Sequence, residues 1–412
     1  MGLVFPANPN EIDRNKPGTH ALIAGVSSYP HLRKGKGSLG PYHFGMKQLT
    51  VSALSAFRIC EWVVQQRDRF HPPLASCRLL ISPSEKEQTQ ILNEQRNTLR
   101  AATFEDCNIQ NFLKDAKEWR EDASGSPESM ALFYFAGHGL QTREVECALL
   151  LQDFNDGQGG VLRAAVDLDN IYGGMAPAKA RPDIARNQLY FFDACRFRPD
   201  EQNQFLRMNT TDVFPVEFDT DKGDGSAIVV DDRRAPILYA AVPGGSAYSA
   251  WNKYTFFSHA LLSCFKGRAG VKVQNPYGQT EWLVTAHSLS AALTFELDDI
   301  NRARKLALNH TMNGKNLTIL TLDGAPSADV VIEVEPASVS DVSNIDVLND
   351  AKKKVWQLKS PLKPYPPRNA VPPGQYTLNT KIAPERYPFA DTENQIREAV
   401  PPLSRWIIRV KN

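Results

Sequence analysis

Two apolar segments of this sequence each stop at a residue that can take part in nucleophilic chemistry. One reads MALFYFA over residues 130–136 and stops at Gly-His138-Gly; the other reads QLYFF over residues 188–192 and stops at Asp193-Ala-Cys195. Short apolar runs of this kind predict buried strands of a parallel sheet. Parallel strands bring their carboxyl ends to one edge, so we expect His138 and Cys195 close together, as a base and a cysteine nucleophile.

The same residues carry a family resemblance. FYFAGHG followed by DACR resembles the caspase and metacaspase clan of cysteine peptidases. Further similar motifs are HALIAGV (20–26) upstream and ILYAAVPG (237–244) downstream, and the resemblance as a whole covers about 320 residues. It implies a caspase-like three-layer α/β sandwich and a peptidase that uses a His138–Cys195 dyad. It also implies that the backbone N–H groups of Gly139 and Cys195 form the oxyanion hole, which the developing charge requires.

The resemblance has two departures that bear on P1, the substrate residue before the cut. Animal caspases have Gln two residues before the nucleophile, whereas Asp193 stands here, as in metacaspase-like members, where it lines a pocket for Arg or Lys. Caspases hold a P1 aspartate with an arginine after Ser-Trp; this chain has Ser249-Ala-Trp251-Asn. A carboxylate pairs well with a guanidinium, so a basic P1 is expected, with Ser249 and Trp251 as further substrate contacts.

Composition and charge set broader limits. A chain of 412 residues predicts two domains, and 42% hydrophobic with 23% charged residues is typical of a globular protein. The net charge of +1 predicts no general attraction to nucleic acid or to a membrane surface. The first residues lack the features of a signal peptide, and the six cysteines lack CxxC spacing, so we expect a cytoplasmic protein with reduced thiols. No cofactor or metal is expected; calcium dependence stays open, without an identifiable site.

The order of patterns along the chain predicts three parts. Residues 1–19 are expected to form an extended arm, residues 20–325 the peptidase domain with a mostly parallel six-stranded sheet, and residues 326–412 a small β-sandwich of accessory role. The six strands of the sheet are predicted at 20–26, 75–82, 131–136, 187–194, 236–242 and 317–322. Helices are predicted at 49–64, after 103, from Asp167, at 255–266 and from Thr285.

The segment 196–234 has no periodicity and directly follows the nucleophile. A stretch of that length without secondary structure is unusual unless it has a function. Caspase-like enzymes have their intersubunit linker at this point, so the resemblance implies a zymogen that is activated by cleavage, by itself or by an activating protease. Five of its six basic residues are the candidate processing sites, namely Arg198, Arg207, Lys222, Arg233 and Arg234.

Several functions remain compatible with these patterns. The first is a cysteine endopeptidase that cuts protein substrates after Arg or Lys; a peptidase of another P1 preference is a variant of it. A catalytically silent scaffold of the same fold and a thiol hydrolase or acyltransferase are the alternatives. The presence of both His138 and Cys195 favours an active enzyme.

Overall fold

The computed structural model describes residues 2–94, 99, 104–141, 147–158, 160, 162–195, 210–214, 230–240, 254–382 and 395–410. The chain divides into two compact units. The first consists of residues 1–262 and 297–320, and the second of residues 263–296 and 321–412.

Seven strands form the central sheet of the first unit. They are β1 Leu3–Phe5, β2 Thr19–Val26, β3 Leu74–Ser82, β4 Met130–Gly137, β8 Asn187–Ala194, β9 Ile237–Tyr239 and β12 Thr311–Asn313, the numbers β5 to β7 and β10 to β11 belonging to strands of smaller sheets given below. Their order across the sheet is β1, β3, β2, β4, β8, β9, β12. The five inner strands are parallel, and the two edge strands run antiparallel to their neighbours.

Helices cover both faces of this sheet. Those that the structure describes are α1 Ser52–Gln65, α2 Glu85–Glu94, α3 Ile109–Asp122, α4 Leu168–Gly174, α5 Phe256–Ser263 and α6 Ala286–Arg304, the last of which runs through both units. On β2, Gly25 faces α1 so closely that a Cβ there would lie 2.5 Å from the Cβ of Ala56. Neighbouring Ala24 belongs instead to the core that contains Phe112 and Trp119 of α3. Since successive side chains of a strand point to opposite faces, α1 and α3 lie on opposite sides, which gives three layers.

A small antiparallel sheet follows β4 directly. It consists of β5 Gly139–Gln141, β6 Cys147–Leu150 and β7 Ala165–Asp167. Asp167 then caps α4, its side chain accepting a hydrogen bond from the N–H of Asp169 at 2.9 Å. Since β4 ends at Gly137 and β5 begins at Gly139, this small sheet begins where the chain leaves the carboxyl edge of the central sheet.

The α/β class is confirmed and the central sheet is mostly parallel, but the prediction of six strands is wrong in two respects. Residues 317–322 do form a strand, β13 Thr318–Leu322, yet it lies in a separate sheet with β10 Gly270–Gln274 and β11 Thr280–Thr285. The place beside β9 is taken by β12, which is antiparallel. The sheet also gains β1 from the predicted arm, a strand of three residues. Alternation and β-propensity identify a strand without naming its partner, and a three-residue strand is too short to show a pattern.

Beyond Pro326, the described residues contain strands and one short 3-10 helix, Ala337–Val342. The strands are β14 Ala328–Glu335, β15 Ser343–Asn349, β16 Lys354–Leu358, β17 Arg368–Val371, β18 Gly374–Ile382, β19 Gln395–Ala399 and β20 Leu403–Arg409. They form a three-stranded sheet (β17, β14, β20) and a four-stranded sheet (β16, β15, β18, β19). Ile332 and Trp406 of the first sheet share one apolar core with Val347 and Leu378 of the second.

Candidate active site

The register between β4 and β8 places the two predicted catalytic residues next to each other. Gly137, the last residue of β4, pairs with Ala194, the last residue of β8, so His138 and Cys195 are the first residues beyond the sheet on adjacent strands. The backbones that follow are in close contact, because a Cβ added to Gly139 would lie 2.4 Å from the carbonyl oxygen of Cys195. Only glycine fits at position 139 without moving the backbone that carries the thiol.

Two hydrogen bonds fix the position of His138. Its backbone N–H donates to the hydroxyl oxygen of Tyr29 at 2.8 Å, and its Nε2 lies 2.7 Å from the carbonyl oxygen of Lys47. A carbonyl only accepts, so Nε2 must carry the proton and Nδ1 is the basic nitrogen of the neutral ring. Burial lowers the pKa of His138, and the hydrogen bond to Lys47 opposes that shift.

The residue after Lys47, Gln48, anchors this segment of the chain through its side chain. The Gln48 amide bonds the Tyr29 backbone in both directions: Nε2 donates to the Tyr29 carbonyl at 2.6 Å, and Oε1 accepts from the Tyr29 N–H at 2.7 Å. The Tyr29 ring lies 4.9 Å from the His138 ring, centroid to centroid, and its hydroxyl donates to the Leu150 carbonyl at 3.2 Å. Tyr29 and Gln48 thus hold the base from two sides. Sequence reasoning missed this frame, since a backbone carbonyl has no residue type to recognise.

Cys195 differs from the other cysteines in its surroundings. All six cysteines of the chain lie in the described part, and five are buried, whereas Cys195 is partly exposed. Burial raises the pKa of the Cys60 and Cys107 thiols well above the usual range and that of Cys264 to about 12. Only a thiolate attacks a carbonyl, so partial exposure and a neighbouring histidine make Cys195 the candidate nucleophile.

Asp193 is buried, with 2% of its surface exposed, behind the edge that carries Cys195. Its Oδ2 accepts hydrogen bonds from the hydroxyls of Tyr134 at 2.9 Å, Ser258 at 2.6 Å and Thr255. Its Oδ1 is buried and has no hydrogen-bond partner among the described residues. Burial raises the pKa of this carboxyl, and the hydroxyls oppose the shift.

The remaining predicted residues fall into two groups. Ser249 and Trp251, predicted to contact substrate, and the processing candidates Arg198, Arg207 and Lys222 lie outside the described residues. Arg233 and Arg234 are described.

Arg233 is engaged in the fold. It is 7% exposed, pairs with Asp231 at 2.8 Å, donates to the Tyr172 carbonyl and to Gln188, and lies over the Tyr172 ring. Arg234 is exposed, and its backbone pairs with Arg186 and Gln188. In this conformation neither residue lies in an unpaired, extended segment of the kind that a protease binds.

The described part of the chain contains no group of three or more histidine, cysteine or acidic residues arranged to hold a metal ion. It also contains no helix that is long and apolar enough to cross a membrane.

Comparison with known proteins gives three results. The caspase domain of peptidase family C14 matches residues 85–289. The uncharacterized protein y4kE of Sinorhizobium fredii is 24% identical over 277 residues, which are 64% of this chain and 70% of that protein.

Among solved structures, caspase-1 from Spodoptera frugiperda is 12% identical with a TM-score of 0.39, covering 75% of this chain and 94% of its own. A protein from Geobacter sulfurreducens is 14% identical with a TM-score of 0.38, covering 74% and 95%. The matched range 85–289 contains both His138 and Cys195, each at the end of its strand. A caspase domain of peptidase family C14 is therefore recognised over residues 85–289 of this chain.

Proposed function

We propose that this protein is a cysteine endopeptidase that cuts protein substrates after Arg or Lys with a His138–Cys195 dyad. The observation that carries the proposal is the register of β4 and β8, which puts a base of defined tautomer beside the partly exposed cysteine. A scaffold without activity would need neither the base nor the access.

Each step of the chemistry uses an atom of this edge. Nδ1 of His138 takes the proton of the Cys195 thiol, and the thiolate attacks the carbonyl carbon of the scissile bond. The imidazolium then gives that proton to the leaving amine, and an acyl-enzyme forms. Water, deprotonated by the same nitrogen, hydrolyses the thioester, and the thiol is restored. The Lys47 carbonyl stabilises the imidazolium through its bond to Nε2.

The oxyanion hole is proposed to consist of the N–H groups of Gly139 and Cys195. The Leu150 N–H donates to the His138 carbonyl at 3.0 Å, and Gly139 pairs with Leu149 in the next register position. In an antiparallel ladder, hydrogen-bonded and non-hydrogen-bonded pairs alternate. The Gly139 N–H is therefore expected to point away from β6, which supports its role as a donor to the oxyanion.

The basic P1 preference rests on Asp193. A buried carboxylate oxygen without a partner is costly, and Oδ1 of Asp193 is such an oxygen among the described residues. A guanidinium or ammonium of the substrate supplies both the missing donor and the opposite charge. Asp193 stands two residues before the nucleophile, so the P1 side chain of a bound peptide is the group that would reach it.

A panel of fluorogenic peptides that differ only at P1 tests the function. Arg and Lys peptides should be cut at least about tenfold faster than Asp or Leu peptides, because one charge-assisted pair is worth about 1.5–3 kcal/mol. Asp193→Asn should erode the preference while a thiol reagent still labels Cys195. Turnover of thioesters or simple amides without turnover of any peptide would favour a different thiol hydrolase, and no turnover at all a scaffold.

We also propose that cleavage within 196–234 regulates the enzyme. The support is its position directly after Cys195 and the basic residues Arg198, Arg207 and Lys222, which match the proposed P1 class. Mass spectrometry of the purified wild type beside Cys195→Ala should find cuts in this segment in the wild type alone. A variant with these three residues changed to Gln should stay intact and show low activity; full activity without a lag would refute the regulatory role.

A further inference from the structure

The hydroxyl groups around Asp193 form a cluster that the chemistry at His138 and Cys195 does not use. We infer that the hydroxyls of Ser258, Thr255 and Tyr134, here called the hydroxyl cradle, keep Asp193 ionised while buried and so determine the P1 specificity and its pH range. The inference rests on the proposed preference for a basic P1 residue and names the positioning residues behind it.

The cradle concentrates its donors on one oxygen of the carboxylate. All three hydroxyls contact Oδ2, from β4 on one side and from the start of α5 on the other, and Oδ1 receives none of them. A carboxylate oxygen that accepts several hydrogen bonds favours the charged form, against the effect of burial. The rotation of the carboxyl group is fixed as well, so Oδ1 keeps one direction. The cradle therefore supplies both the charge and the aim of the group that binds substrate.

The hydroxyls of the cradle also contact one another. Besides the three contacts to Asp193, the Ser258 hydroxyl lies 2.6 Å from that of Tyr134 and 2.8 Å from that of Thr255. The Thr255 hydroxyl accepts the Ser258 N–H at 3.1 Å, which caps α5. Each hydroxyl can donate one proton and can also accept, so the three hydroxyls share their protons between Oδ2 and one another. An ionised carboxylate only accepts, and donors that converge on it favour its charged form.

Neutral groups surround the carboxyl on the elements packed against it. Tyr134 on β4 is the titratable group in contact, and its pKa is raised by burial and by Asp193, so it stays protonated. The contacts from α5 are uncharged, and the Thr255 N–H is itself tied to the Ser55 hydroxyl of α1 at 3.0 Å. No lysine or arginine of the described residues forms an ion pair with Asp193. Hydroxyl donors therefore stand where a basic residue would otherwise neutralise the carboxylate and compete with the substrate.

Ser258→Ala is the sharpest test, because it removes one donor without creating a buried unpaired group. Tyr134 and Thr255 both keep Asp193 as acceptor. The measurement is kcat/KM for an Arg peptide and for the citrulline peptide of the same sequence, taken from pH 4 to pH 9. The two side chains have nearly the same shape and differ in charge. Since both peptides use the same dyad, the ratio of their kcat/KM values cancels the titration of His138 and Cys195.

In the wild type the Arg-to-citrulline ratio should be high at neutral pH and fall with acid, as Asp193 becomes protonated. In Ser258→Ala the midpoint of that fall should move to higher pH by about one unit, so that halfway between the two midpoints the ratio drops about threefold. Ser263→Ala, which removes a hydroxyl from the other end of α5, is the matched control and should keep the wild-type midpoint.

The outcomes separate the two proposals. A wild type without any preference for Arg over citrulline would refute the basic P1 class. A wild type with that preference and an unmoved midpoint in Ser258→Ala would overturn the cradle. Tyr134→Phe takes the same test if circular dichroism shows Ser258→Ala to be unfolded. Carbon-13 aspartate NMR, assigned with Asp193→Asn, reads the protonation of the carboxyl without any substrate: an equal midpoint in wild type and variant also overturns the inference.

Discussion

The amino and carboxyl edges of the central sheet each carry a histidine, and they differ in how ionisable side chains are held. At the amino edge, His20, the second residue of β2, lies within a network of charged side chains: Asp122 binds Arg14 at 2.8 Å and also Arg78, while Ser76 joins His20 to Asp122. At the carboxyl edge, His138 and Asp193 are held by a backbone carbonyl and by hydroxyls.

The two edges suit different roles. The charges of the amino edge neutralise one another and stabilise the fold. The carboxyl edge keeps its ionisable groups in place with neutral partners, which under the proposed function leaves His138, Cys195 and Asp193 to interact with a substrate. Burial lowers the pKa of both histidines, that of His20 to about 4, but His138 is the one that lies beside the partly exposed Cys195.

Substitution of the nucleophile should separate the edges most clearly. Cys195→Ala should reduce peptide turnover by about 10⁴-fold or more, because it removes the nucleophile of the proposed acyl-enzyme. Its stability should be close to that of wild type. Cys264→Ala, at a fully buried thiol, is the control and should keep the activity of its folded fraction. Labelling with a peptidyl halomethyl ketone should map to Cys195; substantial turnover in Cys195→Ala would refute the assignment.

Asp122→Asn should have the opposite profile. It removes one partner of a buried ion pair and leaves Arg78, 3% exposed, with a weaker contact to Glu118 at 3.4 Å. The free energy of unfolding should fall by about 3–5 kcal/mol, while kcat of the folded enzyme stays near wild type. Urea unfolding gives the first quantity and peptide turnover the second. Asp13→Asn, in an exposed pair with Lys16, should change stability by less than about 0.5 kcal/mol. A marked fall in the kcat of folded Asp122→Asn would contradict a purely structural role of this network.

His20 predicts a pH dependence of stability. Its folded pKa of about 4 lies below the unfolded value of 6.5, so only the unfolded chain takes up this proton between those values. Stability is therefore lost as the pH falls from about 6.5 to about 4, by about 3 kcal/mol for this group. The pKa of Asp115, raised to about 6, acts in the opposite direction over the same range. The stability of wild type and of His20→Gln should therefore be compared by thermal unfolding at each pH. If the two curves of stability against pH run parallel, the prediction is wrong.

The frame around His138 should give the smallest effect. Tyr29→Phe removes the acceptor of the His138 N–H and leaves that donor buried, and Gln48→Met releases the segment that carries the Lys47 carbonyl. Each should lower kcat by about ten- to a hundredfold, since misplacement of a base costs about 1.4–2.7 kcal/mol. Tyr42→Phe, at an exposed tyrosine, is the control. Wild-type kcat in both variants would show that His138 needs no such support.

Residue types and their spacing were enough to identify the strands that end in His138 and Cys195. Short apolar runs that end at glycine or at polar residues indicate buried strands. The helices predicted between these runs indicate that the strands are parallel. The same evidence identified Asp167 and Thr285 as helix caps, because a cap is a contact between residues two or three positions apart. Local signals of this kind survive without any knowledge of the fold.

Which strands pair and which side chains meet depends on contacts between residues distant in the chain. The sequence identified Thr318–Leu322 as a strand but not its sheet, and it gave no sign that Thr311–Asn313 would close the central one. The Lys47 carbonyl reaches His138 across 91 residues, and the Ser258 hydroxyl reaches Asp193 across 65. A carbonyl occurs in every residue and a serine is common everywhere, so neither is a signal until folding brings it within hydrogen-bond distance. Burial of the surrounding groups then makes each of these contacts strong enough to set a pKa, a tautomer and a direction.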